Sequence, residues 1–467
     1  MALIHTYCKT DFDPYEDFYE NFKVDMPEQF NFGYDVVDRL AKEQPDKTAI
    51  VWCNDLGEEK IISFAEVKRM SDKMANALVS LGIGKGDTVM VMLKRRYAYW
   101  YFAMAMHKIG AVLLPATHLL TVKDLVYRIE KAEIKMILTT GDDALCDKID
   151  EAAAKTGDIL KIKAVLSGER KGYVNFDALV DTMPEAFERP TGEAAPDSRD
   201  TMIAYFTSGT TAMPKMVAHD YFYPLCHLTT ARFWHDLDEH DLHLTVADTG
   251  WAKASWGKLY GQWICEAAVF VYDYEARFKP SDCLSLIDKY KITSFCAPPT
   301  IYRFVIKEDL SQFNLSSLKK ASIAGEPLNP EVYAKWLGAT GLKLREGYGQ
   351  TECTVLVATN CFSEPKPGSM GLPMPLTNCT ILDADGNECE AGEIGEICMP
   401  VPDLAHRPLG LFMGYYKDPA RTESVLSGGV YHTGDTAWQD EDGYLWYVGR
   451  VDYVIKVSGH RIFPFET

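Results

Sequence analysis

The stretch YFTSGTTAMPKMVAH (residues 205–219) sets a short apolar run directly before a loop of hydroxyl and glycine residues that ends in Pro214 and Lys215. The apolar run predicts a strand. Hydroxyl groups, backbone amides and a cation are the groups that meet the charge of a phosphate. The loop departs from the pattern G-x-x-x-x-G-K-[ST], because Met216 follows Lys215, so an ordinary P-loop NTPase is disfavoured. A solvated Ser/Thr-rich linker is the alternative interpretation.

Four later segments also combine glycine with one or two polar groups. They are IAGEPLNPEV (323–332), EGYGQTE (346–352), YHTGD (431–435) and GRVDYVIKVSGHRI (449–462). Glycine lets a backbone approach a ligand closely. Each segment alone is compatible with an ordinary turn, whereas five such segments in this order are not expected by chance.

With these segments the chain resembles the adenylate-forming superfamily, which comprises acyl-CoA synthetases, nonribosomal adenylation domains and luciferases. The resemblance runs from about Phe30 to the end of the chain. The segments AGEPLNPE (324–331), DTGWAKASWGKLYGQW (248–263) and FCAPPTIYRF (295–304) look most like AMP-forming short- and medium-chain acyl-CoA synthetases. The resemblance implies that a carboxylic acid is joined to AMP from ATP, with release of pyrophosphate, and is then transferred to coenzyme A.

The resemblance also implies an ATP site built by the five segments. In it Tyr348 would stack on the adenine, Asp435 would accept the ribose hydroxyls, and Glu352 would hold Mg²⁺, a hard cation that prefers carboxylate oxygens. The implied catalytic residues are Thr207, Lys215, Thr351 and Glu352. The implied ATP-binding residues are Thr207, Ser208, Gly209, Thr210, Thr211, Lys215, Gly325, Glu326, Pro327, Glu346, Gly347, Tyr348, Gly349, Gln350, Thr351, Asp435 and Arg450.

An acid pocket and a coenzyme A loop are implied in the same way. Trp251, Lys253, Trp256 and Gly349 would line the acid pocket. A tryptophan directed into this pocket would admit a short or branched acyl chain and exclude a long fatty acid. The alternatives are that the tryptophans belong to the core and that Lys253 is solvated, and for Lys253 we favour the solvated position. The coenzyme A loop would contain Ser458, Gly459, His460 and Arg461.

Two departures from the family pattern bear on these expectations. Ala212 stands where the family usually has glycine, which predicts a somewhat different loop shape because alanine avoids positive φ. Asp452 matches the family hinge, and the sequence ends at Thr467, where the family continues into a small mobile domain with its catalytic lysine. We therefore expect a truncated or proteolysed chain without this domain, with a naturally short variant as the alternative.

Composition restricts the partners. The 48 Lys and Arg against 67 Asp and Glu give a net charge of −19, which disfavours nucleic acid and anionic membranes as partners. No apolar run is long enough for a membrane span, and the acidic N-terminus lacks the pattern of a signal peptide. Twelve scattered cysteines without C-x-x-C predict reduced thiols. We predict a cytoplasmic enzyme of fatty acid metabolism, monomeric or homodimeric, that uses ATP, Mg²⁺, coenzyme A and a small carboxylic acid.

Helical and apolar segments alternate along most of the chain, which predicts an α/β fold with largely parallel sheets. For example, ISFAEVKRMSDKMANALVSL (62–81) predicts a helix with Ser63 as its N-cap. Toward the end, short strands separated by glycine and proline predict a small antiparallel or barrel-like unit. The predicted division has two α/β subdomains, a small β subdomain, and a hinge with a stub: 1–200, 201–364, 365–451 and 452–467.

Functions from three classes fit these motifs. An acyl-adenylating ligase is favoured over a non-catalytic homologue that binds acyl-adenylates, and over a phosphotransferase or ATPase that shares only the phosphate loop. An enzyme that adenylates amino or aryl acids is a variant of the first. An amino acid would need an acidic partner for its ammonium group, and Asp248 has a structural role as its alternative. We interpret HDLDEHDLH (235–243) as a solvated acidic turn and not as a metal site.

Overall fold

Alternating strands and helices make up the computed structural model, which describes residues 2–207, 213–275, 278–451, 455–457 and 460–462, the last two as strands alone. The strands are β1 Thr48–Asn54, β2 Glu59–Ser63, β3 Thr88–Met92, β4 Val112–Pro115, β5 Met136–Thr140, β6 Ile162–Leu166, β7 Val174–Asn175, β8 Thr201–Thr207, β9 Lys215–Asp220, β10 Leu242–Thr245, β11 Ala268–Asp273, β12 Ser294–Ala297, β13 Lys320–Ala324, β14 Leu344–Gly349, β15 Val355–Ala358, β16 Leu372–Pro373, β17 Thr380–Leu382, β18 Gly395–Pro400, β19 Gly414–Tyr415, β20 Val430–Gln439, β21 Leu445–Arg450, β22 Ile455–Val457 and β23 His460–Ile462. The α-helices are α1 Tyr15–Asn21, α2 Arg39–Glu43, α3 Phe64–Ser80, α4 Ala98–Ile109, α5 Val122–Ala132, α6 Asp143–Lys155, α7 Phe176–Asp181, α8 Tyr223–Leu228, α9 Ala252–Lys258, α10 Tyr260–Ile264, α11 Pro280–Tyr290, α12 Pro299–Val305, α13 Pro330–Thr340 and α14 Pro419–Val425.

One sheet has the strand order β19-β9-β8-β4-β3-β5-β6-β7. Its strands from β8 to β7 run parallel, and β9 and β19 add an antiparallel edge. Helices of βαβ crossovers cover such a sheet. The helix predicted over 62–81 is confirmed as α3, and the Ser63 side chain accepts a hydrogen bond from the Glu66 backbone N–H, as an N-cap does.

A second sheet has the order β16-β15-β14-β13-β12-β10-β11-β1-β2. Its centre is parallel from β14 to β1, with antiparallel strands at both edges. The predicted α/β class with largely parallel sheets is confirmed. Strands from the predicted first subdomain, β1 and β2, belong to this second sheet, whereas β8 and β9 belong to the first one. The segment boundaries stay a prediction, because pairing between distant strands crosses them.

Antiparallel strands dominate the region after residue 364. The order of the third sheet is β17-β18-β20-β21, and every neighbouring pair in it is antiparallel. The strands β22 and β23 also pair antiparallel. The register between β18 and β20 shifts, because one residue of β18 lies opposite three residues of β20 between matched pairs. This bulge inserts Gly434 and its neighbours and directs part of β20 toward the second sheet.

The helix α4 lies in the core, and each of its residues is buried. A largely apolar helix is expected in such a position, and its buried Lys108 is paired with Asp38 and Asp72 at 2.6 Å each. The Trp100 indole Nε1 donates a hydrogen bond to Lys258 O over 2.7 Å, so this core helix holds the last residue of α9. The first turn of α9 faces the cavity described below.

Two further features concern cellular context. Within the described ranges, no helix is both long enough and apolar enough to cross a bilayer. All twelve cysteines fall in those ranges and are free thiols, most of them buried. The predicted reduced state of the cysteines agrees with this finding.

Candidate functional site

The candidate site is a cavity of about 370 Å³ at the carboxyl ends of β13 and β14. In parallel α/β sheets this edge is where ligands bind, because the loops after the strands converge there. Residues of α9, β20 and β21 close the opposite side. The lining residues are Ala252, Lys253, Trp256, Ala324, Gly325, Glu326, Pro327, Glu346, Gly347, Tyr348, Gly349, Gln350, Thr351, Met370, Asp435 and Tyr447. Three of the five glycine-rich segments therefore meet in one cavity.

Asp435 reaches this cavity because of the bulge in β20. The preceding residue, Gly434, has a φ of +71°, and a Cβ at that position would lie 2.6 Å from a guanidinium nitrogen of Arg450. A glycine is therefore required at position 434 both for its backbone conformation and for space. Asp435 and Arg450 are paired across β20 and β21, which brings the two predicted ribose residues side by side.

The Asp435 carboxylate is held by four side chains. Its Oδ2 accepts hydrogen bonds from the Tyr348 hydroxyl at 2.7 Å and from Gln350 Nε2 at 2.5 Å. Its Oδ1 accepts hydrogen bonds from the Tyr447 hydroxyl at 3.3 Å and from an Arg450 nitrogen at 3.2 Å. The carboxylate is only 6% exposed. A buried carboxylate with this many donors is fixed in direction. It can therefore present its oxygens to a pair of hydroxyls with little further loss of side-chain entropy.

Glu346 forms a different part of the wall. It is 6% exposed, and its Oε1 accepts a long hydrogen bond of 3.3 Å from the Leu328 backbone N–H. In the described residues Oε2 has no hydrogen-bond partner. Burial raises the pKa of Glu346 to about 8, because the low-polarity surroundings disfavour the charged form. The carboxyl group is therefore neutral at pH 7 and can act as a donor toward a ligand.

The predicted acid pocket is partly assembled at the α9 side of the cavity. Lys253 lines the cavity and donates a hydrogen bond from Nζ to Ala324 O over 2.6 Å. Burial lowers the pKa of its amine. The expectation that Lys253 is solvated is therefore wrong, because the first turn of α9 points this long side chain inward. Trp256 is 8% exposed and also lines the cavity.

Of the other two residues of the predicted acid pocket, Gly349 lines the cavity and Trp251 does not. A Cβ on Gly349 would lie 2.7 Å from the Trp256 ring, so the glycine is what lets this ring pack against β14. The structure does not bring Trp251 to the cavity: the side chain is 52% exposed and precedes α9. Asp248 pairs with Arg95 at 3.0 Å and has the structural role given as its alternative.

Thr207, Lys215 and Glu352 form the predicted phosphate end. Thr207 and Lys215 are register partners at the loop end of the β8–β9 hairpin. Lys215 Nζ donates to the Tyr415 hydroxyl at 3.3 Å, and this hydroxyl donates to Glu352 Oε1 at 2.9 Å. The cation and the carboxylate are thus connected through one hydroxyl. A carboxylate beside such a polar pair is a suitable ligand for Mg²⁺, so these residues fit the implied ion.

The remaining predicted residues are placed as follows. Gly325, with a φ of +108°, and Pro327 line the cavity beside Glu326, whose carboxylate pairs with Arg303 at 2.7 Å. The residues that lie outside the described ranges are Ser208, Gly209, Thr210, Thr211, Ala212, Asp452, Ser458 and Gly459. His460 and Arg461 are described only as part of the strand β23.

Some residues of the site were missed by sequence reasoning. Tyr447 lines the cavity from β21, and Tyr415 links the predicted cation to the predicted carboxylate. Side chains alternate along a strand, so Tyr447 can be assigned to the same side as Asp435 once the pairing of β20 with β21 is known. Nothing near Tyr415 in the sequence marks it. The segment 235–243 also differs from the expected solvated turn, since His235 and His243 are buried and bond to Ser322 and Ser294.

Comparison with known proteins gives concordant matches. The family model described as AMP-binding enzyme matches residues 37–416. The mitochondrial acyl-coenzyme A synthetase ACSM3 of Mus musculus is 40% identical over 464 residues, which cover 97% of this chain and 78% of that protein. The human mitochondrial acyl-coenzyme A synthetase ACSM4 is 37% identical over 453 residues, 94% of this chain and 76% of that protein. The crystal structure of a Brucella canis acyl-CoA synthetase superposes with a TM-score of 0.84 at 26% identity, covering 97% of this chain and 83% of that one.

Proposed function

Because this chain belongs to the AMP-binding enzyme family and is an AMP-forming acyl-CoA synthetase, we propose that its cavity joins the carboxylate of a small acid to the AMP part of ATP. As a member of this family it uses ATP and coenzyme A. The observation that carries the proposal is the buried Asp435 carboxylate, held by four donors at the mouth of a cavity of suitable size. The non-catalytic homologue is less well supported, because Lys215 and Glu352 are both retained.

In the proposed complex the ribose hydroxyls donate to Asp435, with Arg450 beside them. The adenine lies between the segment 325–327 and the Tyr348 ring, and the neutral Glu346 carboxyl group lies in the same wall. Support comes from the lining of the cavity, which includes the segment 325–327, Glu346, Tyr348 and Asp435. Thr351 would donate its hydroxyl hydrogen bond to an α-phosphate oxygen.

The reaction proposed for the first step is attack of the acid's carboxylate oxygen on the α-phosphorus, after which pyrophosphate leaves. Negative charge grows on the phosphate oxygens, so fixed cations and donors lower the barrier. Lys215 and Thr207 would supply these groups at the loop end of the β8–β9 hairpin. When bound at Glu352, Mg²⁺ supplies charge neutralisation and orients the phosphate oxygens. Tyr415 would position both Lys215 and Glu352 by its two hydrogen bonds.

The proposed substrate is a short, medium or branched carboxylic acid. Trp256 and Ala252 give the α9 side of the cavity an apolar surface for the acyl chain, and Lys253 adds a donor close to it. Trp256 packs directly against β14 and limits the length of this surface. The relatives' names state acyl-coenzyme A synthetase without specifying the acid, so chain length is the property to measure.

Transfer of the acyl group to coenzyme A is the proposed second step. The thiol of coenzyme A attacks the carbonyl carbon of the acyl-adenylate, and AMP leaves with the bonding electrons. Ser458, Gly459, His460 and Arg461 are proposed as the guiding loop and Asp452 as the hinge. The proposed compartment is the cytoplasm, supported by the free thiols, although the two relatives compared above are described as mitochondrial.

Calorimetric titration with non-hydrolysable acyl-sulfamoyl adenosines of graded chain length tests this proposal on the chain as it stands. We expect tight binding with a maximum at one acyl length. Trp256→Ala should move the maximum toward longer chains, by a gain of about fourfold in affinity for each added buried methylene. Trp251→Ala, outside the cavity, serves as the matched control and should leave the maximum unchanged. A folded chain that binds no member of the series would contradict the proposal.

A further inference from the structure

Three potential metal ligands of different types converge on the third sheet, outside the cavity. Glu396 and Cys398 are two residues apart on β18 and therefore share one face of that strand. His432 is the register partner of Cys398 on β20. One ligand atom from each side chain lies within 4.8 Å of the other two. The pairing of two antiparallel strands thus assembles a carboxylate, a thiol and an imidazole that are distant in the sequence.

The separations are close to those of a tetrahedral zinc site, although the nitrogen and the carboxylate oxygen are nearer to each other than in such a site. His432 Nδ1 lies 2.9 Å from Glu396 Oε2 and 3.7 Å from Cys398 Sγ. The bond lengths of tetrahedral zinc sites place a nitrogen about 3.4 Å from a carboxylate oxygen and about 3.6 Å from a thiolate sulfur. Small rotations of the Glu396 and His432 side chains bring the three atoms to these distances.

In both Glu396 and His432, the second polar atom of the side chain is already hydrogen-bonded to the backbone. His432 Nε2 lies 3.3 Å from Ser427 O, a hydrogen bond that places the proton on Nε2 and directs Nδ1 toward the other ligands. Glu396 Oε1 accepts a hydrogen bond of 2.8 Å from the Gly434 backbone N–H. Ligands of metal sites are oriented by outer contacts of this kind.

We propose that Glu396, Cys398 and His432 bind one thiophilic divalent cation of the zinc type and that this ion stiffens the bulge that carries Asp435. Zinc is the expected ion because thiolate, imidazole and carboxylate together are typical zinc ligands. The side chains of Glu396 and His432 are 21% and 34% exposed, which gives the ion an entry route and a water as fourth ligand. On binding, the sulfur–metal bond forms and the thiol proton passes to solvent.

The link to the nucleotide cavity is the backbone of the bulge. None of the three residues lines the cavity. Glu396 bonds to the N–H of Gly434, the residue directly before Asp435, so a metal that fixes the Glu396 carboxylate also restricts the bulge. This second part of the inference rests on the proposed ribose role of Asp435, whereas the metal site itself does not.

Titration of the EDTA-treated, reduced chain with Co²⁺ tests the metal site. We expect one Co²⁺ per chain, a thiolate-to-cobalt charge-transfer band, the strong visible bands of tetrahedral cobalt, and displacement by Zn²⁺. Cys398→Ser and His432→Gln should abolish the charge-transfer band, with folding checked by circular dichroism. Cys389→Ser removes a partly exposed thiol that precedes β18 and should keep the band. A wild-type chain without the band, or a band that persists in Cys398→Ser, would overturn the site.

The affinity for AMP, measured by calorimetry with and without Zn²⁺, tests the second part. We expect AMP to bind about fivefold more tightly to the zinc-loaded chain. This factor is at the lower end of the usual range for two coupled binding sites. Glu396→Gln keeps the shape of the side chain and should remove this difference. Equal affinities in the wild-type chain would overturn the stiffening of the bulge. Absence of AMP binding under every condition would count against the ribose role, and the Co²⁺ result would still decide the metal site.

Discussion

The two ends of the cavity are built in different ways. At the proposed ribose end, Asp435 receives hydrogen bonds from four side chains, which lie on the strands β14 and β21 and in the loop after β14. At the proposed acyl end, Lys253 donates to one backbone carbonyl among the described residues, that of Ala324, and Trp256 contributes an apolar ring. A fixed polar network suits a group that is the same in every reaction cycle. A surface defined by one ring and one amine can change its substrate by single substitutions, which suits the variable acid.

Removal of the central carboxylate should have the largest effect on this comparison. Asp435→Ala removes the carboxylate that the Tyr348, Gln350 and Arg450 donors share, and with it the proposed ribose ligand. Breaking a buried charged interaction costs about 3–5 kcal/mol, so the affinity for AMP should fall at least about a hundredfold. Calorimetry measures it. Asp440→Ala, on the loop after β20 and paired with Lys366, is the control and should change the affinity little. Wild-type affinity in Asp435→Ala would contradict the ribose role.

Glu346 differs from Asp435, because its carboxyl group accepts only one long hydrogen bond among the described residues. Replacement of Glu346 tests whether this group is neutral in the folded protein. Burial raises the pKa of Glu346 from 4.5, the ordinary value for a glutamate, to about 8. Between these two pH values the unfolded chain ionises this group and the folded chain does not, so the wild-type protein loses stability as pH rises. Glu346→Gln removes that loss. From pH 4.5 to 8, the unfolding free energy of Glu346→Gln should therefore rise by about 2–4 kcal/mol relative to wild type.

Denaturant unfolding at several pH values measures this difference. Glu326→Gln is the matched control, because the Glu326 carboxylate lines the same cavity but is exposed and pairs with Arg303. Parallel pH profiles for wild type and Glu346→Gln would show that the Glu346 carboxyl group is charged in the folded protein.

Lys253 tests whether the acyl end acts independently of the ribose end. Lys253→Met keeps the length of the side chain and removes its charge. The affinity for the preferred acyl-sulfamoyl adenosine should fall about tenfold, the usual worth of a hydrogen bond to a charged group, while the affinity for AMP stays within about twofold. Because burial lowers the pKa of Lys253, wild-type affinity should also fall as pH rises through that lowered pKa. Lys253→Met should lack this pH dependence.

Calorimetry with both ligands over a pH series gives all of these values. Lys335→Met, which removes an exposed lysine on α13, is the control. A parallel loss of AMP affinity in Lys253→Met would show that the two ends are coupled and that the comparison between them fails.

Tyr415 is expected to give the smallest effect. Tyr415→Phe removes the hydroxyl that links Lys215 to Glu352 but leaves both charges in place. The affinity for a non-hydrolysable ATP analogue with Mg²⁺ should fall about fivefold, as for one lost hydrogen bond, and that for AMP should not change. Tyr416→Phe provides a control at the neighbouring position. Equal losses for the ATP analogue and AMP would place Tyr415 outside the phosphate end.

Much of the fold could be predicted because its signals are local. The helix α3 begins at its capping serine and follows an apolar spacing that a sequence displays directly. The pairing of β1 with β11 could not be predicted in this way, because parallel partners need no neighbouring sequence and no turn residues between them. The same limit explains why the sheet membership of β8 and β9 crosses a boundary drawn from composition.

The site shows a similar division. The convergence of Asp435 and the segment 346–351 on one cavity could be predicted, because glycine-rich motifs mark the places where a backbone approaches a ligand. Lys253 was misjudged because the direction of a long side chain depends on which face of α9 turns inward. The grouping of Glu396, Cys398 and His432 was missed because the residues lie on two strands and join only through antiparallel register. The Glu-x-Cys spacing on β18 was the one local sign of it.

The parallel pairing of β1 with β11 has a consequence for the synthesis of the protein on the ribosome. Ile50 and its neighbours emerge from the ribosome long before Val269, their partner in the sheet. At synthesis rates of about 5–20 residues per second, roughly 10–40 s separate the two strands. During that interval the edge of β1 that pairs with β11 in the folded protein has no partner strand. The chain therefore passes through a period in which its nascent N-terminal part depends on protection from association with other chains.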